Sequence, residues 1–307
     1  MDKSIEQMGQ DLAYGEYSKS TRRQYLKTAE NLAGHVGRPV AELGRDDSRF
    51  AGWRYYAFDV EPGALPAALA LLRERGFRGV NLTVPHKVLA VGLVAELDRD
   101  ARDAGAVNTL ADGPRGWRGF NTDGHGLAAA IREDLGLGLR GAAVILLGAG
   151  GAARAAAAEC LRAGCAALWI VNRTRSRLES LLAQLRPLAG ATPVGAVGAG
   201  GAGPPEGALV INATSAGLRD GDAAPADLRA LPRAAAVYDM IYNPPRTPLL
   251  AQARALGLPH ANGLGMLVHQ GAKSLEIWTG IPSSRTAPAM RAAAAKALGY
   301  RGPADPD

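Results

Sequence analysis

Apolar residues follow two different periods along this chain. Beyond about residue 50, short apolar runs of strand length alternate with stretches in which apolar residues recur every three or four positions. The runs WRYYAFDV (53–60), RGVNLTV (78–84), AVNTLAD (106–112), WRGFNTD (117–123), AAVILLG (142–148), ALWIVNR (167–173), ALVINATS (208–215) and AAAVYDMIY (234–242) predict strands. Pro85 ends the second of them, and Gly113-Pro114 joins the third to the fourth. Helical spacing covers LPAALALLRERG (65–76), stopped by Gly76, and VLAVGLVAELDRDARDAG (88–105), stopped by Gly105. It also covers Gly124 to about Leu137 and the residues that follow GAGG at 148–151. Strands alternating with helices imply parallel sheets covered by helices, the α/β class. Residues 188–208, LAGATPVGAVGAGGAGPPEGA, read as a loop-rich tether of low complexity.

Residues 1–48 break the pattern. They are rich in Lys, Gln, Tyr and Ser, and 18–36 has the apolar spacing of an amphipathic helix at Tyr25, Leu26, Ala29, Leu32 and Ala33. Ser20 or Thr21 is its N-cap. The chain therefore divides into an atypical helical segment (1–48), a first α/β domain (49–123), a second (124–261) and C-terminal helices (262–307). A length of 307 residues with 47% apolar content suffices for two cores.

Charge narrows the partners. The net charge of +6 favours anions in general, but no dense basic run marks a nucleic-acid surface. Residues 1–50 carry eight charges of each sign, which argues against a nucleic-acid module there. No apolar stretch spans a membrane, and no apolar core follows a basic start, so a soluble, cytoplasmic protein is expected. Cys160 and Cys165 lack a third ligand nearby and read as buried thiols, with no metal site. The basic residues comprise 29 Arg and only six Lys. An isolated Lys in such a chain, such as Lys87, is a candidate for chemistry that needs an amine, but on composition alone chance placement is the better reading.

The pattern Gly148-x-Gly150-x-x-Ala153 follows an apolar strand and opens a helix. Small residues there let backbone approach a pyrophosphate, and the helix N-terminus favours its charge. The next strand ends in Asn172-Arg173-Thr174, with Arg177 beyond and no carboxylate before Glu179. An Asp or Glu at that place would select NAD. The guanidinium groups match a 2′-phosphate, and their position after the strand favours NADP over the alternative of a solvated Arg-rich loop. Other polar groups stand at strand ends: Asn81, Thr83 and Lys87, then Asn108, then Asp123, with Gln270 after a Gly-rich turn. Thr109 and Asn121 are expected only to cap turns or satisfy backbone. Lys87 with Asp123 suits acid–base work, the alternative being a surface salt bridge.

The motifs NLTVPHK, GAVNTL, GFNTDGHG, LLGAGGAARAA, VNRTRSR, INATSAGL, VYDMIYNPPRTPLL and NGLGMLVHQGAKSLEIWTG, in this order from about Tyr55 to Tyr300, resemble the signatures of the shikimate dehydrogenase family. That resemblance implies a substrate domain with a mostly parallel mixed sheet, a Rossmann-type NADP domain, and C-terminal helices returning to the first domain. It implies NADPH-dependent reduction of 3-dehydroshikimate to shikimate by a monomer or homodimer. Lys87 would be the proton donor and acceptor and Asp123 its partner. Thr83, Asn108, Asp123 and Gln270 would contact substrate, with Tyr242 close by. Gly148, Ala149, Gly150, Gly151 and Ala152 would hold the pyrophosphate. Asn172, Arg173, Thr174 and Arg177 would hold the 2′-phosphate, and Met240 and Gly263 would lie by the nicotinamide. The family opens with a strand, a Gly-x-Pro turn and a Ser-x-Ser-Pro segment that binds the substrate carboxylate. Upstream of Trp53 only Ser18-Lys19-Ser20 resembles it, within helical spacing and with no proline after it. Residues 18–49 instead resemble, over a short stretch, the helical N-terminal segment of tyrosine recombinases. Residues 1–48 are thus expected to form helix, with shikimate bound weakly and NADP normally. The alternatives are an NADP-binding relative with weak or lost turnover, or a quinate/shikimate dehydrogenase.

Overall fold

The computed structural model describes residues 53–198 and 203–300. The expected N-terminal helix and the Ser18–Ser20 pair lie outside the described residues. Two compact units divide between Val80 and Asn81.

In the first unit, Leu65, Ala68, Leu69 and Leu72 form the buried stripe of α1 (Leu65–Glu74). Gly76 stops the helix at φ +76°, as its position predicts. The run 53–60 is not a strand. A strand exists only as one side of a ladder, and apolar spacing alone does not supply the other side. Its aromatic residues pack on a neighbour instead, with the rings of Tyr56, Phe58 and Phe77 5.9 to 6.4 Å apart. β1 (Gly79–Asn81) crosses the division and is shorter than the expected 78–84. The chain turns at Thr83, whose carbonyl accepts the His86 N–H at 2.8 Å.

The second unit begins with α2 (His86–Leu89). The helix expected over 88–105 is broken by a 3₁₀ turn (Ala90–Leu93) and β2 (Glu96–Leu97) before α3 (Arg99–Ala104). The cause is tertiary. The N–H groups of Ala95 and Asp98 donate to the carbonyls of Trp117 and Gly119 at 2.8 and 2.9 Å. Gly119 leaves the space that Val94 and Leu97 fill. Asp98 then caps α3, accepting from Ala101 N at 2.7 Å. β3 (Thr109–Gly113) and β4 (Gly116–Phe120), the two strands expected on either side of Gly113-Pro114, pair antiparallel, and β2 joins β4 in parallel, so this sheet is mixed. α4 (Asp123–Leu135) leads out of it.

The second sheet is assembled from β5 (Ala143–Leu147), α5 (Gly151–Arg162), β6 (Ala167–Val171), α6 (Arg175–Ala189), β7 (Val194–Ala196), β8 (Ala208–Asn212), β9 (Ala234–Asp239), α7 (Pro248–Ala255) and β10 (His260–Ala261). All its strands are parallel, in the order β10-β9-β8-β5-β6-β7. Counted from β5, that is the 3-2-1-4-5-6 order of a dinucleotide-binding fold. The periodicity of β5 shows why helices lie on both faces. Val144 and Leu146 join the core with α4, α5 and α6, while Ile145 and Leu147 face α7. The run is apolar throughout because both faces are buried.

The tether expected over 188–208 includes regular structure at its start. α6 continues to Ala189, and β7 pairs with β6. Gly195 permits this, since a Cβ there would stand 2.8 Å from the Trp169 ring. Cys160 and Cys165 are buried as expected, and burial raises both thiols, Cys165 to about 11.

α8 (Leu264–Thr279) and α9 (Ser283–Ala297) complete the unit. α8 returns to the first sheet, where Trp278 Nε1 donates to Leu110 O at 2.8 Å. It crosses α4 closely at Gly126, where a Cβ would meet Gln270 Cβ at 2.8 Å and Gln270 N and Met266 O at 2.9 Å. Two backbones cannot yield as a side-chain tip can. Gly126→Ala is therefore expected to cost about 1–3 kcal/mol of stability, measured by denaturant unfolding. An unchanged midpoint would show that the helices separate freely.

Candidate active site

Four of the predicted site residues meet in one hydrogen-bonded group. Lys87, in the second position of α2, reaches Asp123, the first residue of α4, with Nζ 2.6 Å from Oδ2. The side chains are only 16% and 4% exposed, so the pair is not the surface salt bridge that the sequence left open. Asp123 Oδ1 accepts from Asn108 Nδ2 at 2.8 Å. The same amide approaches Gln270 Oε1, in the second turn of α8, at 3.4 Å. Three of the four lie at the ends of elements, Asn108 before β3, Lys87 after the Thr83 turn and Asp123 after β4, while Gln270 lies within α8.

A layer of hydroxyl groups backs this set. Thr122 N donates to Asn108 Oδ1 at 2.8 Å, and Asn108 Nδ2 donates to Thr122 Oγ1 at 2.9 Å. Thr109 Oγ1 donates to Asn108 Oδ1 at 2.9 Å and lies 2.8 Å from Ser274 Oγ. Asn81 Nδ2 reaches both Thr109 Oγ1 and Ser274 Oγ, at 3.1 and 3.0 Å. Asn121 serves backbone as expected, donating to Ala106 O and accepting from Asp123 N. Thr109 does not, because its hydroxyl lies inside the side-chain network. Thr122 stands in the polar run Asn121-Thr122-Asp123 at a strand end, whereas Ser274 carries no such mark in the sequence. Ser274 stands one turn beyond Gln270, a spacing that puts both on one helix face. Thr83 and Tyr242 are placed otherwise. Thr83 is exposed in the turn before α2, and the Tyr242 carbonyl accepts from Tyr300 Oη at 2.7 Å.

The glycine turn opens against the lysine. A Cβ on Gly151 would lie 3.8 Å from Lys87 Cβ. Gly148 takes φ +115°, and a Cβ there would stand 3.1 Å from Ala213 O. Gly150 caps α5 with extended backbone, and open space lies where its Cβ would be. Ala149 is buried and Ala152 half-buried in the first turn. Small residues thus leave space at the N-terminus of α5, where unpaired N–H groups favour an anion, which fits a pyrophosphate.

At the end of β6, Asn172 Nδ2 donates to Thr174 O at 2.8 Å and shapes the turn into α6. Arg175 is held by Glu179 at 2.8 Å. Arg173 and Arg177 are exposed and form no ion pair among the described residues, so two guanidinium groups stand ready for an anion. On the other side of β5, Met240 follows β9, and Gly263 caps α8 so close to it that a Cβ on Gly263 would overlap the Met240 carbonyl. Among the described residues, no cluster could hold a metal and no helix is long and apolar enough to cross a membrane.

A doubly wound sheet of this order, with a buried lysine–carboxylate pair against its glycine turn, defines the class of dinucleotide-dependent oxidoreductases. The shikimate dehydrogenase substrate binding domain matches residues 47–110, and the shikimate 5′-dehydrogenase C-terminal domain matches 263–294. The chain belongs to the shikimate dehydrogenase family. The shikimate dehydrogenase (NADP(+)) of Citrifermentans bemidjiense is 43% identical over 81% of this chain and 90% of its own. That of Symbiobacterium thermophilum is 40% identical over 90% and 98%. The Thermus thermophilus shikimate 5-dehydrogenase, solved with NADP(H) and shikimate, aligns at a TM-score of 0.67 and 35% identity over 85% of this chain and 96% of its own. The ligand-free 5-ketofructose reductase of a Gluconobacter strain aligns at 0.69 and 34% identity over 87% and 93%.

Proposed function

We propose that the protein is an NADP-dependent shikimate dehydrogenase that reduces 3-dehydroshikimate to shikimate. The observation that carries the reading is the buried 2.6 Å pair of Lys87 and Asp123 set against the glycine turn. When bound, NADP supplies the hydride chemistry. Lys87 Nζ gives a proton to the substrate oxygen as the carbonyl becomes a hydroxyl, and takes it back in the reverse direction. Asp123 holds the amine on one oxygen while Asn108 fixes the other. Thr83, Asn108, Asp123, Gln270 and Tyr242 bind the substrate's hydroxyl groups. Gly148 to Ala152 hold the pyrophosphate at the head of α5. Asn172, Arg173, Thr174 and Arg177 hold the 2′-phosphate, and Met240 and Gly263 flank the nicotinamide.

Residues 49–123 are the substrate domain in this reading, 124–261 the NADP domain, and 262–307 helices that return to the first. The enzyme works in the cytoplasm as a monomer or homodimer, without nucleic acid or membrane partners. Light scattering in solution distinguishes the two assemblies.

Steady-state oxidation of shikimate, quinate and the reduced form of 5-ketofructose, each with NADP and NAD, tests the function. The expected result is turnover of shikimate with NADP above every other combination. Preference for quinate would move the substrate assignment, and preference for the reduced ketofructose would move it to neutral polyols. Cofactor binding without turnover of any of them would leave an NADP-binding relative.

A further inference from the structure

Asp239 is a fully buried acid that the acid–base chemistry does not use. It ends β9. Its Oδ1 accepts from Ile241 N at 3.0 Å and from Asn212 Nδ2 at 2.8 Å, and its Oδ2 accepts from Thr247 Oγ1 at 2.6 Å. Burial raises its carboxyl above the usual range, against these donors. Asn212 ends β8 and is equally buried. Its Oδ1 accepts from Thr214 N at 2.9 Å and Thr214 Oγ1 at 2.8 Å, and its carbonyl accepts from Met240 N at 3.0 Å. Thr214 Cγ2 in turn stands 3.1 Å from the place a Cβ would take on Gly148. Ile241 O accepts from Gly263 N at 3.0 Å. A continuous chain of contacts therefore joins the glycine turn, through Thr214, Asn212 and Asp239, to the segment that carries Met240 and to the head of α8.

The strand order says what this chain supports. In a sheet of this topology the two halves of a dinucleotide lie on either side of the first strand. Arg173 follows β6 and Arg177 lies in the first turn of α6, both on one side of β5. The ends of β8 and β9, where Asn212 and Asp239 are buried, form the other. Buried polar groups that are fully hydrogen-bonded rigidify what they join.

We propose that Asp239, with Asn212 and Thr247, is a positioning unit that fixes the floor beneath the nicotinamide half of the cofactor and keeps Met240 in register with the glycine turn. This rests on the NADP reading above.

The test separates the two halves of the cofactor. Fluorescence of bound NADPH reports the nicotinamide, and 2′,5′-ADP binding reports the adenosine half. Asp239→Ala is expected to lower kcat by at least about tenfold and to remove most of the NADPH fluorescence gain, while 2′,5′-ADP affinity stays within about twofold. Asp239→Asn keeps an oxygen for Ile241 and Asn212 and can donate to Thr247, so it should stay near the parent. If Asp239→Ala does not fold, Thr247→Val should give the same split at smaller amplitude, and Thr247→Ser should restore it. A folded Asp239→Ala or Thr247→Val with unchanged kcat and fluorescence overturns the proposal. So does 2′,5′-ADP binding that weakens in step with NADPH, which is what general loosening would produce. A parent that binds NADPH but turns over no shikimate sinks the proposed function alone, and the fluorescence split still decides on Asp239. A parent that binds neither ligand overturns both.

Discussion

Lys87→Ala should abolish most turnover and leave cofactor binding close to that of the parent. A positioned acid–base group contributes roughly 10²–10⁴ to rate, and a loss of that size in kcat is expected. The pair with Asp123 makes the outcome specific. Removing the ammonium leaves a carboxylate 4% exposed with Asn108 on one oxygen and no cation on the other. The site then lacks its proton source and carries an uncompensated charge where the substrate must sit. Shikimate binding should weaken as well, while NADP, held by the glycine turn and the arginines, should change by less than about twofold. Lys87→Arg restores the charge but replaces the amine with a guanidinium that stays protonated, so it should not restore kcat. Parent-like turnover in Lys87→Ala would assign the proton step to another group.

Replacing Arg173 and Arg177 together with alanine should weaken NADP by roughly tenfold to a hundredfold and leave NAD nearly unchanged. Both side chains are exposed, Arg173 after β6 and Arg177 in the first turn of α6, and their neighbour Arg175 is already engaged by Glu179. Exposed charges are screened, so the parent's preference for NADP over NAD should itself shrink as salt rises. Comparing kcat/KM for the two cofactors at low and high ionic strength checks both statements. An equal loss for NADP and NAD would mean that the arginines support the fold of the turn and do not read the 2′-phosphate.

The sequence alone determined the α/β class, the parallel second sheet and most of the candidate site. β5 is legible because both its faces are buried, so the run AVILL is apolar without alternation. The glycine turn is legible because only small residues fit between a strand and a helix that backbone must approach. Lys87, Asn108 and Asp123 are legible as polar residues at element ends and Gln270 as a polar residue after a Gly-rich turn, in motifs that resemble those of a known family.

Tertiary structure decided the rest. Residues 88–105 keep a helical spacing, yet β4 takes the N–H groups of Ala95 and Asp98 and a strand intrudes. Residues 53–60 have the residues of a strand but not its place in a ladder. Gly195 reads as part of a tether until the Trp169 ring lies over it. Ser274 and Asp239 look ordinary in sequence, because what distinguishes them is the company they keep across 165 residues in one case and 27 in the other. Local periodicity records which face of an element is buried. It does not record which distant backbone or side chain meets that face, and hydrogen-bond partners of that kind exist only after the chain has folded.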